Sequence, residues 1–262
     1  MLNYLEYGSG SDTAFLLHGF LGSARNLRSL AQRWCEYQPQ RHLILPDLTG
    51  HGHSPALSNG DGLERLAHDV LELATHLKLS SPALWVGHSL GGRVALKARL
   101  LQPHRMRSIV LLDIAPGPVS SSHGEVSQVV EILLQAPAEA SNRQVMRDTL
   151  LAKGLPRHLV AWLILNLENA ASGAVRWRID RQAMAYLHRQ SSDEDLWAAA
   201  ETPHTKTRCI YGEKSDYVSL ADRHRFQMLG VPLNSIEEAG HFLHIDALGK
   251  LVQLLAEIPL SP

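Results

Sequence analysis

The chain has 262 residues, of which 45% are hydrophobic and 19% are charged, and its formal net charge is -1. This length suits one α/β domain with an insertion. The near-neutral charge gives no sign of a surface that binds nucleic acid. The two cysteines, Cys35 and Cys209, are too few for a disulfide framework and form no Cys-x-x-Cys pair for zinc or redox chemistry. A small neutral or weakly charged ligand is therefore the expected partner.

The amino terminus reads MLNYLEYGSGSD over residues 1–12, without a basic region followed by a continuous apolar stretch. This pattern predicts neither a signal peptide nor a membrane span. We therefore expect a cytoplasmic protein. The sequence leaves its oligomeric state open.

Short apolar runs bounded by turn residues predict strands along most of the chain. Helix-period stretches lie between them, as in residues 61–78, where apolar residues recur at i, i+3, i+4 and i+7. This alternation predicts an α/β fold with a mostly parallel central sheet flanked by helices. The predicted strands are residues 14–19, 42–47, 83–88, 108–113, 207–212 and 233–238.

The alternation breaks in residues 118–204, where helix patterns crowd together and no strand is predicted. We interpret this segment as a helical cap, inserted between two parts of the core, residues 1–117 and 205–262. The chain would leave and re-enter the sheet at its carboxyl edge, where open α/β sheets bind ligands. The cap would then cover the site.

The stretch VGHSLGG at residues 86–92 follows an apolar strand and opens a helix. A serine between glycines in such a strand-to-helix turn projects its hydroxyl clear of the sheet. Ser89 is therefore the candidate nucleophile, and it needs a base and a group that orients the base.

An acyl-transfer site also needs two N–H groups that point at the developing oxyanion. Leu90, directly after the nucleophile, can supply one, and Phe20 in the LLHGFLGS stretch of residues 16–23 can supply the other. The nearby DLTGHGHS stretch of residues 47–54 contains Asp47, His51 and His53. Its glycines favour a turn over a metal site, so we expect no metal there.

The motifs LLHGF, DLTGHGHS, GHSLGG and AGHFLH, in this order and spacing, are similar to those of the α/β-hydrolase superfamily. The stretches LLDIAPGPVSSSHGE and AVRWRIDRQAM further resemble YbfF-type bacterial esterases and their mitochondrial relatives. The resemblance implies an α/β-hydrolase fold with a helical cap inserted after the sixth strand. It implies hydrolysis of esters or thioesters by a serine nucleophile and no cofactor.

In this superfamily the base follows the nucleophile and the acid along the chain. His241, in the EEAGHFLHIDA segment of residues 237–247, fits that place, and His244 is its rival. The sequence leaves two candidates for the acid that orients the base. Asp113 at the end of a predicted strand is one candidate and Asp216 is the other, with Ser215 at the position where superfamily members commonly place the acid.

The predicted function is that of a serine carboxylesterase acting on small or acyl-chain esters, or on thioesters. A carbon-carbon lyase or hydrolase is the first alternative, because HGFLGSARN and SLGGRVA also resemble the pyruvate-eliminating enzyme of the menaquinone pathway. A hydrolase-fold ligand receptor is the second. In the cap, Arg176, Trp177 and Arg178 could bind an anionic group, although packing is the commoner role of such a tryptophan.

Overall fold

The computed structural model describes residues 1–58, 60–79, 82–119, 124–201 and 206–260. Its seven-stranded sheet has the order β1-β3-β2-β4-β5-β9-β10, with β1 antiparallel to β3 and the other pairs parallel. Strand β4 is buried along its whole length, which explains its continuous apolar run. The strands are β1 Tyr4–Tyr7, β2 Asp12–Leu17, β3 Arg41–Pro46, β4 Ala83–His88, β5 Met106–Leu112, β9 Lys206–Gly212 and β10 Leu233–Ile236.

Helices cover both faces of this sheet. Helices α1 and α11 pack together on one face, and α2 and α3 pack together on the other. The apolar stripe of α2 lies in the core, as its period predicts. Outside residues 118–204 the helices are α1 Arg28–Tyr37, α2 Leu63–His76, α3 Leu90–Leu101, α9 Leu220–Met228, α10 Leu243–Asp246 and α11 Leu248–Ala256.

The six strands predicted from the apolar runs are confirmed, each within two residues at either end. Two details of the sequence interpretation are wrong. The insertion follows β5, the fifth strand rather than the sixth, because the described residues form only one antiparallel strand ahead of the parallel ones. The inserted segment also contains strands, β6 Glu139–Ala140, β7 Leu167–Asn169 and β8 Val175–Trp177, which form a small antiparallel sheet. At two or three residues each, they are too short for a period-2 pattern to show.

The rest of the inserted segment is mainly helical. We call residues 118–204 the cap segment, and its boundaries stay a prediction. Its described helices are α4 Gly124–Gln135, α5 Arg143–Ala152, α6 Arg157–Leu163, α7 Arg181–Asp193 and α8 Trp197–Ala200.

Four histidines are buried at the carboxyl edge of the sheet. His18 follows β2, His51 follows β3, His88 ends β4 and His244 lies in α10, and none is more than 8% exposed. Burial disfavours the charged imidazolium, so it lowers the pKa of His51 to about 3 and that of His244 to about 4. It also lowers the pKa of His18, and that of His88 falls well below its ordinary value.

We expect the free energy of unfolding to fall as the pH drops from about 6.5 toward 4. The pKa of each of these histidines is lower in the folded chain than in the unfolded chain, so the unfolded chain binds more protons as the pH falls. The substitution His244→Gln removes one such group. Urea unfolding at pH 7 and pH 5 should show a loss between the two pH values that is about 2 kcal/mol smaller in this variant than in the wild type.

The exposed His76 on α2 provides the matched control, His76→Gln. That variant should lose as much stability as the wild type between the two pH values. An unchanged pH dependence in His244→Gln would show that the burial of His244 does not oppose its protonation.

Candidate active site

Ser89 occupies a sharp turn between β4 and α3. Its backbone has φ 51° and ψ -116°, a conformation that residues other than glycine rarely adopt. Close packing of the strand on the helix explains the flanking glycines. A Cβ on Gly87 would lie 2.3 Å from backbone atoms of Gly91, and one on Gly91 would lie 2.3 Å from the Leu17 carbonyl oxygen. The half-buried Ser89 side chain therefore stands at the carboxyl edge of the sheet, as the sequence predicts.

His241 lies on the loop after β10, and its Nδ1 is 2.7 Å from Oδ2 of Asp113. Asp113 follows β5 directly and is fully buried. Its φ is 53°, a left-handed conformation that aspartate tolerates better than most residues. In this contact the protonated Nδ1 donates to the carboxylate, so Nε2 carries the lone pair that can accept a proton.

The Asp113 carboxylate has two further partners. Oδ1 accepts a hydrogen bond of 2.9 Å from the Gly212 N–H, and the Ser215 hydroxyl donates to Oδ2. Ser215 is itself buried, and its oxygen accepts from the Tyr217 N–H at 3.3 Å. These donors fix the orientation of the carboxylate. The structure therefore brings Ser215 to Asp113, whereas Asp216 is exposed on the same loop.

Aromatic rings hold the His241 imidazole in place. Tyr217 stacks on it with a centroid distance of 3.8 Å and an interplanar angle of 18°. The His88 ring lies 4.7 Å from the His241 ring, centroid to centroid, and its Nε2 is 2.8 Å from the His241 carbonyl oxygen. His244, the rival base, is buried beside His88 at 5.1 Å. Sequence reasoning missed the roles of Tyr217 and His88, although each lies within two residues of a candidate that it named.

The two expected oxyanion donors come from different elements. Leu90 is the first residue of α3, and Phe20 lies in the turn after β2, which is closed by a 3.0 Å hydrogen bond from the Gly22 N–H to the Gly19 carbonyl. Within the part of the chain that the structure describes, neither the Leu90 nor the Phe20 N–H donates to a protein acceptor. Both groups are thus available to a ligand oxygen.

Two cavities meet at Ser89, and they share Phe20, Val126 and Tyr217. The first, of about 80 Å³, also contacts His241 and is largely apolar and aromatic. The second, of about 360 Å³, extends along α7. The cap segment contributes to both, with Val129, Leu159 and Trp162 in the first and Ser127, His188 and Arg189 in the second.

The other residues that the sequence singled out have structural partners. Asp47 accepts hydrogen bonds from Ala24 N at 2.7 Å and His53 N at 2.9 Å, so it organises a turn, as expected. Trp177 donates to the Pro137 carbonyl, and Arg176 pairs with Glu168. The contacts therefore favour packing over an anion site in this part of the cap segment.

Among the described residues, one group of side chains could approach a metal ion together, namely His68, Asp69 and Glu72 on α2. His68 and Glu72 are exposed, and Asp69 already pairs with Arg65 at 2.9 Å. None of these three residues lines either cavity at Ser89. No helix among the described residues has the length and apolar character needed to cross a membrane.

Comparison with known proteins identifies relatives of this chain. The chain is 28% identical over 252 residues to the sn-1-specific diacylglycerol lipase ABHD11 of Danio rerio, covering 91% of this chain and 76% of the relative. It is 26% identical over 268 residues to a Bacillus subtilis protein provisionally named 2-succinyl-6-hydroxy-2,4-cyclohexadiene-1-carboxylate synthase, covering 94% and 91%. A solved marine microorganism esterase superposes with a TM-score of 0.86 at 24% identity, covering 98% and 99%.

The model of the alpha/beta hydrolase fold family matches residues 15–158, more than half of the chain. This span contains Ser89, Asp113 and the Phe20 turn. The fold, the family match and the relatives support the same assignment. The chain therefore belongs to the α/β-hydrolase fold family and is an esterase/lipase-like hydrolase.

Proposed function

We propose that this protein is a serine carboxylesterase with Ser89, His241 and Asp113 as its catalytic triad. The observation that carries the proposal is the 2.7 Å contact between the buried Asp113 and His241, which lines the same cavity as Ser89. A serine on a strained turn, a base and an orienting carboxylate are the groups that acyl transfer requires.

In this mechanism His241 Nε2 takes the Ser89 proton as Oγ attacks the ester carbonyl. The N–H groups of Phe20 and Leu90 stabilise the oxyanion. His241 then gives the proton to the leaving oxygen, and the carbon-oxygen bond breaks. Water, deprotonated by His241, attacks the acyl-enzyme; the bond between the acyl carbon and Oγ breaks, and His241 returns the proton to Ser89 Oγ as the acid leaves. No residue in this sequence of steps calls for a cofactor.

The substrate of this proposal is a small-molecule ester, with thioesters as the related class. We also propose that the cap segment covers the site, because its side chains line both cavities at Ser89. A cytoplasmic location stays part of the proposal. The provisional name of the Bacillus subtilis relative favours a second candidate, a carbon-carbon lyase, in which Ser89 would act as a base.

We expect Ser89→Ala to abolish the hydrolysis of aryl esters, because the variant lacks the hydroxyl oxygen that forms the acyl-enzyme in the proposed mechanism. Turnover of a short-chain and a long-chain aryl ester should fall by about 10³-fold or more. The exposed Ser29 on α1 gives the matched control, and Ser29→Ala should retain the wild-type rate.

Equal rates in Ser89→Ala and in the wild type, with both shown to be folded by circular dichroism, would reject the mechanism. Wild-type protein that hydrolyses no ester but eliminates pyruvate from a cyclohexene intermediate would instead establish the lyase.

Asp113→Asn should lower kcat by about 10³-fold to 10⁴-fold, because an amide can hold His241 in the wrong tautomer. Asparagine also tolerates the positive φ at this position, so the fold should persist. Asp216→Asn, on the exposed loop, should leave kcat within about twofold of the wild type. Steady-state kinetics of the two variants test the acid directly, and the reverse ranking would assign the role to Asp216.

The contact between Ser215 and Asp113 indicates that a carboxylate at position 215 would also lie beside His241. We expect the double variant Asp113→Asn with Ser215→Asp to recover at least about tenfold of the kcat lost in Asp113→Asn alone. The introduced carboxylate would lie next to the oxygen position that His241 contacts, and the amide at position 113 could donate to it. Ser215→Asp alone should be impaired, since two carboxylates would then share one buried site. No recovery in the double variant would mean that His241 cannot be reached from β9.

A further inference from the structure

The two cavities at Ser89 differ sharply in charge. The described lining of the first contains no aspartate, glutamate, lysine or arginine; it consists mainly of aromatic, histidine and aliphatic residues such as Trp162, Phe242 and Ile245. The second is lined by Arg93, Arg189 and Asp193. A single ligand that spans Ser89 would therefore meet apolar surroundings on one side and charged ones on the other.

The chemistry of the proposed esterase decides which half of an ester lies on which side, so this step rests on the proposed function. His241 must reach the leaving oxygen to protonate it. His241 lines the first cavity and is not among the residues that line the second. The alcohol half therefore occupies the first, apolar cavity, and the acyl half extends into the second.

The charge of the second cavity favours an anion. Arg93 is 2% exposed, and its guanidinium donates only to backbone carbonyls, including Ser191 at 2.7 Å and Gly117 at 2.7 Å. Among the described residues no carboxylate forms an ion pair with it. Burial lowers its pKa to about 10, so it remains a cation at neutral pH.

Arg189 on α7 supplies the group that can contact a ligand. It lines the cavity, and within the described chain it forms no hydrogen bond or ion pair. Asp193, four residues later on α7, is the one carboxylate among the described residues of the lining. The neighbouring Glu194 carboxylate is paired with Lys97 at 2.6 Å. His188 also faces the cavity, and burial lowers its pKa, so it adds no positive charge at neutral pH.

We propose that the protein is selective for esters whose acyl half ends in a carboxylate, that is, monoesters of a dicarboxylic acid with an apolar alcohol. The terminal carboxylate binds Arg189 in the field of the buried Arg93, and the alcohol lies against Trp162 and Phe242. A guanidinium can hold a carboxylate through two parallel hydrogen bonds, which an uncharged acyl chain cannot accept.

The test compares monobenzyl succinate, glutarate and adipate with benzyl esters of the monocarboxylic acids of equal chain length. We expect kcat/KM to be at least tenfold higher for the best monoester than for its neutral partner. Arg189→Gln should reduce this ratio by about tenfold, because it should lower kcat/KM for the monoesters far more than for the neutral esters. Asp193→Asn should raise the ratio, and 0.5 M salt should lower it.

Arg157→Gln is the matched control, because Arg157 is an exposed arginine of the cap segment that lines neither cavity. Its ratio should equal that of the wild type. A third series carries the carboxylate on the alcohol half, as in the 3-phenylpropionate ester of 4-hydroxybutyrate, and should be the poorest.

A ratio near one in the wild type, or one that Arg189→Gln leaves unchanged, would overturn the assignment of the second cavity. Preference for the third series would mean that the two halves lie the other way round. These outcomes leave the serine esterase mechanism intact, because hydrolysis still occurs. Hydrolysis of none of the esters would overturn the proposed function and this inference with it.

Discussion

The backbone strain at Ser89 is the constraint on which the rest of the site depends. A non-glycine residue in this conformation costs about 1–3 kcal/mol and persists only where the surrounding structure enforces it. Here the enforcement comes from β4, which is wholly buried, and from α3, which packs so closely that Gly87 and Gly91 have no room for a side chain. The same turn sets the Ser89 side chain at the cavity, and the first N–H of α3 has no acceptor among the described residues. The proposed nucleophile and one proposed oxyanion donor are therefore products of one packing contact.

Helix α3 also ties this turn to the cap segment. Arg93 lies four residues after Ser89, and its guanidinium donates to four backbone carbonyls. Two of them, Ala115 and Gly117, lie where the chain leaves the sheet. The other two, Ser191 and Glu194, lie where the cap segment leads back to the sheet. The other oxyanion element is tied as well, because Asn166 donates to the Leu21 carbonyl at 2.9 Å and the His188 ring lies 5.2 Å from that of Phe20. Small shifts of the cap segment would thus change the positions of both proposed oxyanion donors.

Much of this arrangement can be predicted from the sequence, because the features concerned are local. Strand β4 and the Ser89 turn appear as an apolar run followed by glycines at fixed spacing, and the helical period of residues 61–78 marks α2 within two residues. The short strands of the cap segment leave no periodic signal, since two or three residues cannot show one. The Tyr217 stack on His241 and the Arg93 contacts are equally hidden, because they join residues that are distant along the chain.

The proposed acid, Asp113, shows why a local sequence pattern does not identify every residue of the site. Strands β5 and β9 are neighbours in register, with Leu112 beside Ile210, so the residues that follow each strand arrive at the same place. Asp113 and Ser215 come from these two strand ends and meet in a hydrogen bond although 102 residues separate them. Either strand end can therefore present a side chain to His241 Nδ1. The choice between them depends on which residue of each turn points inward, and a one-residue difference in a loop changes that direction. Asp113 points inward because its backbone is left-handed and because its carboxylate accepts a hydrogen bond from the Gly212 N–H. The second partner belongs to the neighbouring strand, so the sequence around Asp113 does not reveal it.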